Sequence, residues 1–252
     1  MIIAGVVVAC VLPTIVTWLY FVVLANHPLQ KFAFGLKAAQ FAFPVIWVLL
    51  VLRESVGATG LSLVSGPDES TAAESESDPA KARLSVQTSM ALSIGMGTLV
   101  CIAMWAIYRS IPDNVLAELV VKAQGKVEEL GFASAATFIG LGVFYSLVHS
   151  FLEEYYFRWF AFGQLRRVTS FWPAALFSGV AFMAHHVIIL VVYFGWSPLA
   201  AFLSFSIAVG GVLWAWIYEK SRSLLGVWVS HLMVDAGIFY IGFDLLKNAG
   251  II

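Results

Sequence analysis

The sequence predicts an all-α fold: a polytopic membrane helix bundle with about seven transmembrane helices. Of 252 residues, 61% are hydrophobic and only 12% charged, and the mean hydropathy is +0.90. A soluble domain carries roughly 45–50% apolar and about 25% charged residues, so this chain lacks the polar surface that water requires. Its apolar residues are also gathered into charge-poor runs of bilayer length.

A hydrocarbon core about 30 Å thick takes roughly 20 helical residues, and lipid offers no partner to a backbone group outside a helix. The runs that meet this demand are approximately Ile2 to Leu24, Phe32 to Leu52, Leu84 to Tyr108, Leu130 to Leu152, Phe171 to Phe194, Pro198 to Tyr218 and Leu224 to Leu246. Met1 to Ala25 is uncharged and lacks the basic n-region of a secretory signal, whose apolar stretch spans only about 7–15 residues. It reads as an uncleaved first span.

Four stretches follow: 1–53 with two N-terminal spans, an acidic linker 54–83, 84–129 with the third span and an interfacial segment, and 130–252 with the last four spans. The linker, with Pro67-Asp68-Glu69-Ser70 and Glu74-Ser75-Glu76-Ser77-Asp78, has too little apolar surface to offset the entropy of ordering and is predicted to be disordered. Ile111 to Glu129 intersperses Val115, Leu116, Leu119, Val120 and Val127 with Glu118, Lys122 and Lys126, the spacing of an amphipathic helix along the membrane surface.

The net charge of −1 leaves no basic field for nucleic acid. Cys10 and Cys101 lie in apolar stretches and imply no disulfide. Arg166-Arg167 and Lys220/Arg222 are the densest basic clusters in short loops, which by the positive-inside rule places both loops in the cytoplasm. Trp159, Trp172, Trp196, Trp214, Trp216 and Trp228 fall mostly near predicted helix ends and read as interfacial anchors, while Gly195, Gly210, Gly211 and Gly226 read as places of close helix approach or local breaks.

The polar residues of the last four spans point to function: His149, Glu153, Glu154, Arg158, His185, His186, His231 and Asp235. A charged side chain costs about 2.5–3.5 kcal/mol at the bilayer centre, so these groups must pair, protonate or line a wet cavity. At 1.5 Å per residue, Glu153 lies roughly 20 Å from Arg166, His186 roughly 22 Å from Phe171, and His231 and Asp235 roughly 13 and 19 Å from Arg222. Three helices thus carry polar groups at similar depth.

Glu154 can pair with Arg158 one turn on, and His231 stands one turn before Asp235. Glu153 is turned about 100° from Glu154 and faces another neighbour. His185 and His186 are likewise about 100° apart, so at most one is expected to reach a shared site easily. His149 and His185 read as packing histidines, and Asp244 and Lys247 as interfacial.

A carboxylate with a neutral imidazole can hold and deprotonate water while other groups steady an oxyanion, which together suit peptide hydrolysis. Two histidines and one or two carboxylates also form a common zinc set, and spacing alone does not separate these schemes. Polar groups at mid-depth also suit a transporter or proton relay, although no inverted repeat between two halves is visible and the polar residues cluster in one half.

Glu153-Glu154-Tyr155-Tyr156-Phe157-Arg158 matches EExxxR, Phe182 to His186 matches FxxxH, and His231 to Asp235 matches HxxxN/D. On these motifs, which span about the last 120 residues, the chain resembles the CPBP intramembrane proteases, the group of CAAX prenyl protease 2 and Abi proteins. The resemblance implies a catalytic chamber in the last four helices, open to the cytoplasm, in a bacterial plasma membrane. Glu153 would activate water with His186, Glu154 would brace the site through Arg158, and His231 with Asp235 would face the substrate carbonyl. Substrates would be membrane-associated proteins or peptides, prenylated or CAAX-like.

Asp235 departs from the Asn of the best-understood family pattern; an ionised Asp has no hydrogen to donate, so it is protonated, orients His231 or binds metal. Metal-free catalysis is favoured, with zinc on Glu153, His186, His231 and Asp235 as the alternative. A catalytically silent scaffold for peptide handling or immunity would share the same motifs.

Overall fold

A computed structural model describes residues 1–25, 27–54 and 84–252. The expectation of a disordered acidic linker falls on residues 55–83, outside the described ones. The described residues form eight helices and no strand. Seven are long and apolar enough to span a bilayer: α1 (Ile2–Val23), α2 (Pro28–Leu52), α3 (Val86–Arg109), α5 (Ala135–Arg166), α6 (Phe171–Phe194), α7 (Pro198–Ser221) and α8 (Leu224–Asn248). The remaining helix, α4 (Asp113–Glu129), is the amphipathic one, entered through Pro112 in an extended conformation. The chain is an integral multi-pass membrane protein.

The fourth span differs at both ends from the run Leu130 to Leu152. Gly131, at φ +75°, ends the preceding helix, and Ser134 begins α5 with a capping box in which its hydroxyl accepts the Thr137 N–H at 3.2 Å. The helix then continues through the charged motif to Arg166. Ser134→Ala is expected to cost about 1 kcal/mol, read as a small drop in thermal stability in detergent with activity unchanged.

The chain divides into two compact units, one of Met1–Val86 with Glu153–Leu224, the other of Gln87–Leu152 with Leu225–Ile252. In the first, α1 packs on α2 and α6, and α6 lies along α7. The α6/α7 crossing depends on missing side chains: a Cβ on Gly211 would come 3.0 Å from the Gly179 Cα, and one on Gly179 would meet the Ala208 carbonyl at 3.0 Å.

Charges at one end of this unit tie its loops together. Arg166 donates to Glu219 through Nε and Nη2 at 3.1 and 2.8 Å, and Arg167 grips both oxygens of Glu54 at 2.9 and 2.7 Å. The Leu84 N–H donates to the Lys220 carbonyl at 3.0 Å. Both basic loops therefore lie at the same end. The Arg167 guanidinium holds the Glu54 carboxyl below its usual range, so this clasp stabilises at neutral pH and fades as pH falls through the lowered value.

In the second unit, Val127, Phe138 and Leu246 form a buried core with Phe239 and Phe243. Cys101 donates to the Met233 carbonyl at 3.2 Å, and Tyr108 Oη donates to Asp244 at 2.8 Å. Asp244 is thus bonded rather than merely interfacial.

Candidate active site

The site is built on α5, which is not uniform. It runs as α-helix through Phe144, π-helix over Tyr145–His149, α-helix over Ser150–Glu154, π-helix over Tyr155–Phe162, then α-helix to Arg166. The two glutamates sit on a short α-helical step between two wide turns. Such turns weaken the normal backbone ladder and are frequent at functional sites. Each receives outside support: Trp228 Nε1 donates to the Leu147 carbonyl at 3.1 Å, and Ser178 Oγ to the Phe157 carbonyl at 3.1 Å. In lipid an unmet carbonyl costs several kcal/mol, so these bonds help keep the wide turns affordable.

Glu154 and Arg158 meet as expected, with Nε 3.0 Å from Oε2 and both side chains wholly buried. The rest of the guanidinium lies between two aromatic faces, 4.7 Å from the Phe182 centroid and 5.0 Å from that of Trp214. Ring faces attract a desolvated cation by about 2 kcal/mol or more. Trp214 is therefore no interfacial anchor, being 5% exposed, and nor is Trp159, which is 2% exposed and stacked on Tyr155. Their nearness to predicted helix ends was misleading because buried arginine and tyrosine recruit aromatic partners at depth. Trp172 and Trp196 are exposed, as interfacial anchors require.

Glu153, 3% exposed, faces away from this pair toward α6. His185 Nε2 lies 3.3 Å from its Oε1. The His185 ring is stacked on Phe157 at 5.6 Å and 10° and meets the Phe182 ring edge at 5.6 Å and 79°. His186 is half-buried, and its Nδ1 donates to the Phe182 carbonyl at 2.8 Å, which makes Nε2 the nitrogen with an acceptor lone pair. The two imidazole centroids are 4.1 Å apart, and one ligand atom from each of Glu153, His185 and His186 lies within 4.8 Å of the others.

The expectation that only one of two adjacent histidines reaches a shared site is thus corrected. Their backbone directions diverge by a helical step, but the rings turn toward a common point. His185, read as packing, touches the carboxylate that sequence assigned to the base.

On α8, His231 Nε2 lies 3.7 Å from Asp235 Oδ1, one turn on, with both side chains largely buried. That is charge proximity rather than a formed hydrogen bond. His149 packs its ring on Tyr145 at 4.7 Å. Lys37, on α2, was not singled out, although an isolated cation inside an apolar run is itself a functional signal. Its charge acts on both Glu153 and His185.

Residues 135–237 match the family model described as Type II CAAX prenyl endopeptidase Rce1-like. That segment is similar to the Rce1-like family. It begins at the first residue of α5 and ends two residues past Asp235, so all three motifs of the CPBP resemblance fall inside it. The Rce1-like family is one of CAAX-type intramembrane proteases, and a hydrolase acting on membrane-associated substrates fits a chain of seven apolar spans. No curated protein and no solved structure gives a significant match.

The Rce1-like segment also offers donors for a cation. One carboxylate and two imidazoles are a suitable set for zinc, and the His186 Nδ1 bond to a carbonyl is the kind of outer contact that orients a ligating imidazole.

Proposed function

We propose that the protein is an intramembrane endopeptidase that hydrolyses peptide bonds of membrane-associated, prenylated or CAAX-like substrates, with water activated by Glu153 and His186. The observation that carries this reading is the convergence of Glu153 with His186 and His185 beside a separately neutralised Glu154–Arg158 pair. One carboxylate is committed to structure, and the other is placed for proton transfer.

In this scheme water bonds to His186 Nε2 and to Glu153. As its oxygen attacks the scissile carbonyl carbon, the O–H bond breaks toward the Glu153 carboxylate. The same proton is then delivered to the leaving nitrogen as the C–N bond breaks, which regenerates the carboxylate. General-base action of this kind contributes typically about 10²–10⁴-fold. By the family resemblance, His231 with Asp235 serves the oxyanion; Asp235 does so protonated or by orienting His231. His185, with Nε2 3.3 Å from Oε1, positions the carboxylate by contact.

Metal-free catalysis is the reading favoured, with zinc as the alternative cofactor. Glu153, His185 and His186 would then hold the ion, which would supply Lewis-acid polarisation and a more acidic water. The two basic loops at one end of the first unit support an orientation with that end, and the entrance to the site, in the cytoplasm of a bacterial plasma membrane.

The test compares purified wild type with folded Glu153→Gln on quenched peptides, plain and prenylated, with and without chelator, product ends being read by mass spectrometry. Cleavage by wild type alone supports the reading, and loss on chelation selects zinc. Equal cleavage by both proteins would remove Glu153 as base.

A further inference from the structure

We propose that Lys37 anchors the C-terminal carboxylate of the peptide substrate, forming an anionic subsite supplied by α2 from outside the Rce1-like segment. The proposal rests on the endopeptidase reading and names what selects its substrate.

Placement comes first. Helix α2 lies along the second half of α5, with Phe41 edge-on to Tyr156 at 6.1 Å and 89° and Phe43 edge-on to Phe160 at 5.8 Å and 87°. The two helices run in the same direction, because Glu54 just beyond α2 is bonded to Arg167 just beyond α5. Moving back one turn from Phe41 reaches Lys37, and moving back three residues from Tyr156 reaches Glu153. The two therefore come level. Lys37 stands roughly 22 Å before the end of α2 at 1.5 Å per residue, near the depth of Glu153.

Its surroundings come second. The ammonium lies 5.6 Å from the Phe41 ring centroid, and among the described residues no carboxylate comes within ion-pair contact of it. The side chain is partly exposed. A cation at this depth that is neither wholly enclosed nor directly paired suits an anion that arrives with the substrate.

The chemistry selects the anion. A CAAX-like substrate ends in a free carboxylate a few residues beyond the bond to be cut, and an extended chain covers about 3.3–3.6 Å per residue. A cation within electrostatic reach of Glu153 thus measures a short C-terminal leaving peptide. The same cation could instead serve only to keep Glu153 ionised, and kinetics separates the two roles. An anchor acts on peptides with a free terminus through KM, whereas a charge acting on Glu153 changes kcat for every peptide.

Wild type, Lys37→Met and Lys37→Arg are assayed on matched peptides ending in a free acid or an amide. Wild type is expected to favour the acid by about 10–100-fold in kcat/KM, the size of a hydrogen bond to a charged group. Lys37→Met abolishes that preference by raising KM for the acid relative to the amide, on top of any change in kcat common to both peptides from loss of the charge near Glu153, and Lys37→Arg restores most of it. An equal fall on acid and amide peptides, or no acid preference in wild type, overturns the proposal. If wild type cleaves neither peptide, the endopeptidase reading fails by itself. Binding of the same labelled peptides then decides the subsite: acid-selective binding lost in Lys37→Met upholds it, and indifference to the terminus overturns it.

Discussion

Glu153→Gln is expected to lower kcat by roughly 10²–10⁴-fold while leaving KM nearly unchanged. Gln keeps the length and the hydrogen-bonding reach of Glu but has no basic oxygen to take a proton from water. The fold should survive, because the buried Glu154–Arg158 pair is untouched and the neutral amide still meets His185. Progress curves over a range of substrate concentrations, with thermal stability measured alongside, check both halves. The neighbouring histidine extends the same prediction. His185→Phe preserves the flat ring on Phe157 but removes the polar contact with Glu153, and should lower kcat by about tenfold. His185→Gln can still reach Glu153 and should recover most of that loss. A histidine that served only packing would tolerate Phe better than Gln.

Arg158→Met is expected to destabilise the protein by about 3–5 kcal/mol, since it leaves the wholly buried Glu154 without its cation. The loss reaches further than the ion pair. Phe182 and Trp214 would no longer close on a guanidinium, and Phe182 is also the ring against which both His185 and His186 rest. Protein that stays folded should therefore show reduced kcat. Adding Glu154→Gln to Arg158→Met should restore part of the stability, because no buried charge remains unmatched. Unfolding in mixed micelles checks the magnitudes. Equal stability of the single and double variants would mean that Glu154 is not stranded.

The seven spans were legible because each is a long run almost free of charge, and only a helix satisfies its own backbone in lipid. The Glu154–Arg158 pairing was legible because local spacing sets it. The beginning of α5 was not, since Leu130 continues the apolar run while the backbone stops at Gly131 and restarts at Ser134. The π-helical turns escaped because a continuous apolar stretch shows no contrast between 3.6 residues per turn and more. His185 and Lys37 escaped for a different reason. Their proximity to Glu153 depends on how α6 and α2 pack against α5, and that is written in aromatic contacts between helices rather than in any motif.

The wide turns of α5 have a consequence for how this chain tolerates changes of length. A π-helical turn accommodates an extra residue in an otherwise α-helical backbone. Deleting one residue within Tyr155–Phe162 could relax that stretch toward ordinary helix, with the flanking segments kept near their present phase. Made before Arg158, the deletion would also shorten the Glu154–Arg158 interval to three residues and carry the arginine away from its two rings. Made after Phe162, where the helix is already regular, it would spare the ion pair and alter only the exit toward Arg166 and Arg167. Equal deletions a few residues apart should therefore have very unequal effects, with the boundary at Arg158.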